Sequence, residues 1–175
     1  MLTLRPMSDA DLSTVSNWLL LPHVARWWTS TTTPSEVIEL YRLRVKGQDR
    51  RTHMLMVSES EEDIGWCQWY LWVDYPEESL TLGANEGEIG FDYVIGDPAL
   101  LGRGLGTKLV AALVEHARLI YPGVGILVEP EESNTPSRRA LEKNGFVLTG
   151  VRPVGIEESA YRKALYRLPS TLGMD

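Results

Sequence analysis

Apolar residues recur along this chain in two rhythms. From Leu105 to Ala117 they lie on adjacent rows three and four apart, Leu105, Leu109 and Leu113 beside Val110, Val114 and Ala117. That spacing predicts an amphipathic helix, stopped at Pro122-Gly123. By contrast, His53 to Ser58 and Ile64 to Val73 predict two antiparallel strands joined by a polar turn, the second rich in β-favouring aromatics. The pattern further predicts a strand from Leu2 to Arg5. A helix follows to about Leu20, with Ser8 as cap, Asp11 completing a short capping box, and Leu12, Val15, Trp18 and Leu19 on its buried face. Thr33 before Pro34 opens the next helix. Glu88 to Ile95 and Val124 to Glu129 read as strands, Pro136 starts a helix that ends at Asn144-Gly145, and Phe146 to Val151 and Ala160 to Leu168 are the last strands. Pro22 to Trp28 reads as an interruption, and Asp74 to Asn85 as an acidic, turn-rich loop. No repeat or linker divides the chain. The expected fold is therefore one mixed α/β domain over residues 1–175, a mostly antiparallel sheet flanked by about four helices.

Composition narrows the class. The 175 residues are 43% apolar and 23% charged, an ordinary globular balance. No apolar run approaches the roughly 20 residues that cross a bilayer. A single cysteine, Cys67, excludes an internal disulfide and a thiolate-rich zinc site, so no metal is expected. The setting implied is reduced and cytoplasmic. Seventeen basic residues against twenty-four acidic ones give −7, which argues against nucleic acid as a partner. The charge is also unevenly placed. No Lys or Arg occurs between Arg51 and Arg103, where eleven carboxylates lie. An acidic segment suits a cationic ligand, or else is a solvated loop.

The strand ending at Ile95 leads into Leu101-Gly102-Arg103-Gly104-Leu105-Gly106-Thr107-Lys108 and then the long helix. Glycines let backbone amides crowd an anion, and the helix start adds unpaired donors, an arrangement suited to a pyrophosphate. The order Thr107-Lys108 does not match a P-loop, and Gly-x-Gly-x-Gly does not match the dinucleotide fingerprint.

These residues resemble the acetyl-CoA signature of the GNAT superfamily of N-acetyltransferases, Gln/Arg-x-x-Gly-x-Gly/Ala, departing from it only at Leu101. Asn134, followed by a helix ending in Glu142-Lys143-Asn144-Gly145-Phe146, resembles a second feature of that family. The resemblance implies acetyl-CoA as co-substrate, with Leu101 to Thr107 on its pyrophosphate. Val94 and Ile95 would lie along the pantetheine, with a backbone N–H polarising the thioester, and Asn134 near the same arm. A tyrosine acid used by many members has Leu141 at its place here.

Within the superfamily the chain is most similar to aminoglycoside 6′-N-acetyltransferases, through Gly90-Phe91-Asp92, Leu101 to Val110, Trp27-Trp28, Gln68-Trp69-Tyr70 and Glu129-Pro130. The resemblance implies Asp92 as base or orienting group, and Trp28, Gln68, Tyr70 and Glu129 as further contacts to a cationic amine. Asp74, Glu86, Glu88 and Asp92, interleaved with Trp66, Trp69, Trp72 and Tyr75, would then form an acidic, aromatic-walled site. The bland counterparts are a strand-edge salt bridge for Asp92, a solvated strand end for Glu129, core positions for the tryptophans and a loop or cap role for His23. Two other functions stand beside this one. Siderophore acetyltransferases acting on N6-hydroxylysine also show a His-Val-x-x-Trp-Trp segment and an Ile-Gly-Asp-Pro run, here His23 to Trp28 and Ile95 to Pro98. A non-catalytic acyl-CoA or antibiotic-binding module is the other. Monomer and homodimer are both compatible with the sequence, and residues 74–86 would set selectivity.

Overall fold

A computed structural model describes residues 2–28, 33–154 and 161–171. Ala160, expected to begin the last strand, lies outside them. The described residues form two compact units, within Met1–Tyr70 plus Asp92–Leu105 and within Leu71–Phe91 plus Gly106–Asp175. Among the described residues no helix is long and apolar enough to cross a membrane.

The first unit holds β1 (Leu2–Pro6), α1 (Leu12–Leu19), α2 (Pro22–Trp28), α3 (Pro34–Val45), β2 (Thr52–Glu59) and β3 (Glu62–Leu71). It also takes the later part of β4 (Ile89–Ile95). Its strands lie in the order β1-β2-β3-β4. The pairs β1–β2 and β2–β3 are antiparallel, with a register shift at Val57/Ser58. Leu12, Val15 and Leu19 of α1 are buried with Tyr41 of α3, Met56 of β2 and Trp66 of β3 in one cluster. Ser8 and Asp11 do form the expected capping box, around one turn of 3-10 helix ahead of α1. Arg5 of β1 reaches the same carboxylate with two hydrogen bonds, of 2.9 and 2.8 Å.

That contact makes a pH prediction. The Arg5 hydrogen bond, aided by those from Ser8, holds Asp11 well below the usual carboxylate range despite its burial. A depressed folded value means the stabilisation is present above the ordinary carboxylate range, and is lost as pH falls through the folded value. Asp11→Asn is therefore expected to lower the urea midpoint at pH 7 and to flatten its decline in acid. Parallel curves for variant and parent from pH 7 to pH 3 would contradict this.

The second unit holds α4 (Pro76–Leu82), the start of β4, α5 (Leu105–Ile120), β5 (Ile126–Val128), α6 (Thr135–Lys143), β6 (Val147–Val154) and β7 (Tyr161–Leu168), with Leu105 itself counted in the first unit. Its strand order is β4-β5-β7-β6. The β4–β5 pair is parallel, with the register Ile89↔Ile126, while β5–β7 and β7–β6 are antiparallel. The mixed, mostly antiparallel architecture is as expected. The helix number is not. Pro22 to Trp28 is a helix rather than an interruption, and residues 74–85 contain α4 rather than only a loop. Both begin with proline, whose fixed φ suits the first helical position. Helices α3 and α6 also begin near a proline, but Thr33 and Asn134 announce them by capping. Neither Leu21 nor Tyr75 has a side chain that caps, so the same proline there resembles a break.

Candidate active site

Side chains on a strand alternate between faces, so β3 sends Trp66, Gln68 and Tyr70 to one side and Cys67 and Trp69 to the other. Strand β4 lies antiparallel beside it, with Gly96 N–H donating to Ile64 O at 2.8 Å. This sets Asp92 across from Gln68 on the same face. Gln68 Nε2 donates to Asp92 Oδ2 at 2.8 Å, and Arg44 Nη1 of α3 donates to Gln68 Oε1 at 2.8 Å. Trp28 of α2 closes on this face, edge-on to Tyr41 at 6.4 Å and tilted against Trp66 at 5.6 Å. The first unit thus joins Arg44, Gln68 and Asp92 by hydrogen bonds and packs Trp28 on Tyr41 and Trp66, with Tyr70 further along the same strand face. Burial pushes the Tyr41 hydroxyl far above its ordinary range, and the Asp92 charge pushes it further, so Tyr41 remains a phenol here.

Beyond Asp92, Val94 is buried and Ile95 offers its carbonyl to His23 Nε2 at 3.1 Å. His23 is therefore a helix residue that braces the end of β4, not a loop or cap histidine. Gly96 lies against Trp18, where an added Cβ would come within 2.2 Å of the indole. Asp97 Oδ1 accepts from Ala99 N–H at 2.8 Å and sets the turn that follows. Gly102 and Gly104 then take φ of +75° and +77°, the left-handed backbone that glycine adopts without strain. A Cβ on either would meet nothing within 4 Å, so the turn has open space beside it. Leu101 and Arg103 are exposed, while Leu105 is buried and opens α5, leaving only its backbone for a ligand. An exposed glycine turn running into a helix start fits a pyrophosphate chemically.

The second unit holds the remaining candidates. Gly106 and Thr107 form the first turn of α5, and Thr107 O accepts from Asn144 Nδ2 at 3.0 Å. Asn134 caps α6, its Oδ1 accepting from Ser137 N–H at 3.3 Å. Leu141 is buried and brings no acid. Glu129 receives Arg152 Nε at 3.0 Å and Lys163 Nζ at 2.9 Å, so two cations already face its carboxylate. That is not a solvated strand end.

A family model described as "Acetyltransferase (GNAT) domain" matches residues 7–152. The chain belongs to the GNAT acetyltransferase family. It is 32% identical over 151 residues to the aminoglycoside N(6′)-acetyltransferase type 1 of Klebsiella pneumoniae, covering 85% of this chain and 75% of that protein. The crystal structure of aminoglycoside acetyltransferase AAC(6′)-Ib with coenzyme A and kanamycin matches with a TM-score of 0.78 at 30% identity, covering 97% of this chain and 95% of that one. Lysine N-acyltransferase MbtK of a Mycobacterium species (strain MCS) is 27% identical over 172 residues, 96% of this chain and 67% of that protein.

In this GNAT chain the acidic, aromatic-walled site expected from residues 66–92 is not assembled as such. Trp66 is buried and stacked on Trp18, with centroids 6.0 Å apart. Trp69 is buried on the opposite face of β3, stacked on His53 at 4.1 Å. Trp72 is buried and donates its indole N–H to Leu127 O at 2.9 Å. Glu88 is buried and paired with Arg167, Nε to Oε1 at 2.8 Å, while also accepting from Asn85 N–H. Three tryptophans and one carboxylate therefore serve the interior. Asp74 and Glu86 are exposed. Asp92 belongs to the first unit, where it meets Gln68. Arg44 and Tyr41 were missed by sequence reasoning; the available signal was their three-residue spacing on one face of α3.

Proposed function

We propose that this GNAT chain transfers the acetyl group of acetyl-CoA to the 6′-amine of an aminoglycoside. The observation carrying this is the carboxylate of Asp92, held by Gln68 on the strand that continues through Val94 and Ile95 to the glycine turn. A polycationic sugar needs a fixed anion beside the reacting nitrogen, and two of the three relatives named above are aminoglycoside acetyltransferases.

Acetyl-CoA supplies the activated thioester. Leu101 to Thr107 hold its pyrophosphate through backbone amides, with Arg103 adding charge, and Val94 and Ile95 lie along its arm. A protonated amine has no free electron pair, so Asp92 orients the ammonium and takes its proton, directly or through one water. The amine nitrogen bonds to the acetyl carbon as the carbon–sulfur bond breaks; coenzyme A leaves as its thiolate, and the proton that the nitrogen loses on becoming an amide ends on that sulfur. With Leu141 in place of a tyrosine, departure relies on the low basicity of the thiolate, since a free thiol has a pKa near about 8.5. Trp28 and Tyr70 wall the sugar. Glu129 is already matched by Arg152 and Lys163.

The second reading, acylation of a hydroxylysine, is favoured by the lysine N-acyltransferase relative and by the segments His23 to Trp28 and Ile95 to Pro98. Both segments have a structural explanation here. His23 braces Ile95, Trp28 packs on Trp66, and Gly96 admits Trp18. Packing of this kind is independent of the acceptor. The test is thiol release from acetyl-CoA by purified protein with kanamycin and N6-hydroxylysine in parallel. Turnover with kanamycin, and little with hydroxylysine, is expected. Turnover with hydroxylysine alone would replace the proposal with the second reading.

A further inference from the structure

We propose that Arg44 is a positioning residue for Asp92, acting through the side-chain amide of Gln68. This rests on Asp92 being the carboxylate that meets the amine. Three elements contribute one side chain each. Arg44 of α3 donates to Gln68 Oε1 at 2.8 Å, and Gln68 of β3 donates through Nε2 to Asp92 Oδ2 of β4 at 2.8 Å.

A primary amide has an accepting end and a donating end of nearly the same shape. Turned over, Gln68 would aim its oxygen at the Asp92 carboxylate, acceptor against acceptor. A guanidinium can only donate, so it admits only the amide oxygen. Arg44 thereby commits the NH₂ group to Asp92. The guanidinium is itself held in the interior. Its Nε lies 3.6 Å from Asp49 Oδ2, the two side chains are 11% and 13% exposed, and its Cζ sits 5.9 Å from the Tyr41 ring. Asp49 is fixed in turn by Arg51 Nε at 3.0 Å. Gln68 is only 8% exposed, so protein groups rather than bulk water set its orientation. The chain Asp49–Arg44–Gln68–Asp92 carries orientation from a loop behind α3 to the central strand. The effect of Arg44 on turnover runs through the rotamer of Asp92.

The test is a kinetic cycle with kanamycin and acetyl-CoA on R44M, R44K, Q68A, R44M/Q68A and D92N. R44M is expected to lower kcat about tenfold, in line with the sensitivity of catalysis to small misplacements, while the KM for acetyl-CoA stays unchanged. R44K donates without the planar fork and loses less. Should R44M fail to fold, R44K carries the same cycle. R44M/Q68A is expected to be no slower than Q68A, because the path from Arg44 is already cut. Equal losses from R44M in both backgrounds would overturn the inference, as would an unchanged R44M beside an inactive D92N. A fully active D92N would instead overturn the role of Asp92, and this inference with it.

Discussion

Asp92→Asn is expected to leave the fold intact and to lower kcat/KM for kanamycin by about 100-fold or more, within the usual range for losing a general base. The substitution keeps the shape of the side chain and its place opposite Gln68, where Nε2 now donates at 2.8 Å. It removes the charge that orients an ammonium and the oxygen that takes its proton. Because Asn carries both a donor and an acceptor, the amide of Gln68 still finds a partner, and stability changes little. The KM for acetyl-CoA is expected to stay within about twofold, since the glycine turn is unaltered. The measurement is thiol release across a range of kanamycin concentrations, alongside a thermal melt. An unchanged kcat/KM with normal melting would remove Asp92 from the mechanism. Kanamycin binding without any turnover in the parent protein would point to the non-catalytic module.

Gly65→Ala is expected to destabilise the chain by at least about 3 kcal/mol, the upper part of the range for overpacking a filled interior. The position does not need glycine for its backbone angles but for space. A Cβ there would lie 2.0 Å from Val94 O, 3.0 Å from Val94 C and 3.2 Å from Ile95 Cα. All three neighbours are backbone, so no rotamer change relieves the clash. Either β3 or β4 must move, and the part of β4 displaced is the segment proposed to lie along acetyl-CoA. Loss of stability in urea should therefore come with a raised KM for acetyl-CoA. A midpoint within experimental error of the parent would show that the two strands yield at that point.

How much was legible in advance varies with the kind of interaction. The capping box of Ser8 and Asp11 and the start of α3 at Thr33 were readable because each partner lies within a turn of the other. Gly102 and Gly104 were readable because a left-handed turn before a helix has a local composition, and the GNAT resemblance rested on it. The helices at Pro22 and Pro76 were not, since a proline opens a helix or ends one and no capping side chain decided between them. The tryptophans of β3 showed aromatic content but not destination. Strand alternation sends Trp66 and Trp69 to opposite sides, and what covers each side comes from α1, α2 and β2.

Charges divide in the same way. The long acidic stretch was evident from order alone, yet the partners that neutralise it lie far along the chain. Within it Glu88 meets Arg167, and beyond it Glu129 meets Arg152 and Lys163. The family resemblance marked both Asp92 and Gln68 as candidates, but the bond between them, and the hold of Arg44, 24 residues earlier, on Gln68, came only with folding. The sequence by itself determined the mixed α/β class, the glycine turn and the strand carrying Asp92, because short-range periodicity, caps and turns depend on neighbours along the chain. Tertiary structure decided which carboxylates are matched by cations, which aromatics are interior and which side chain orients Asp92, because burial and ion pairing depend on neighbours that only the folded sheet brings together.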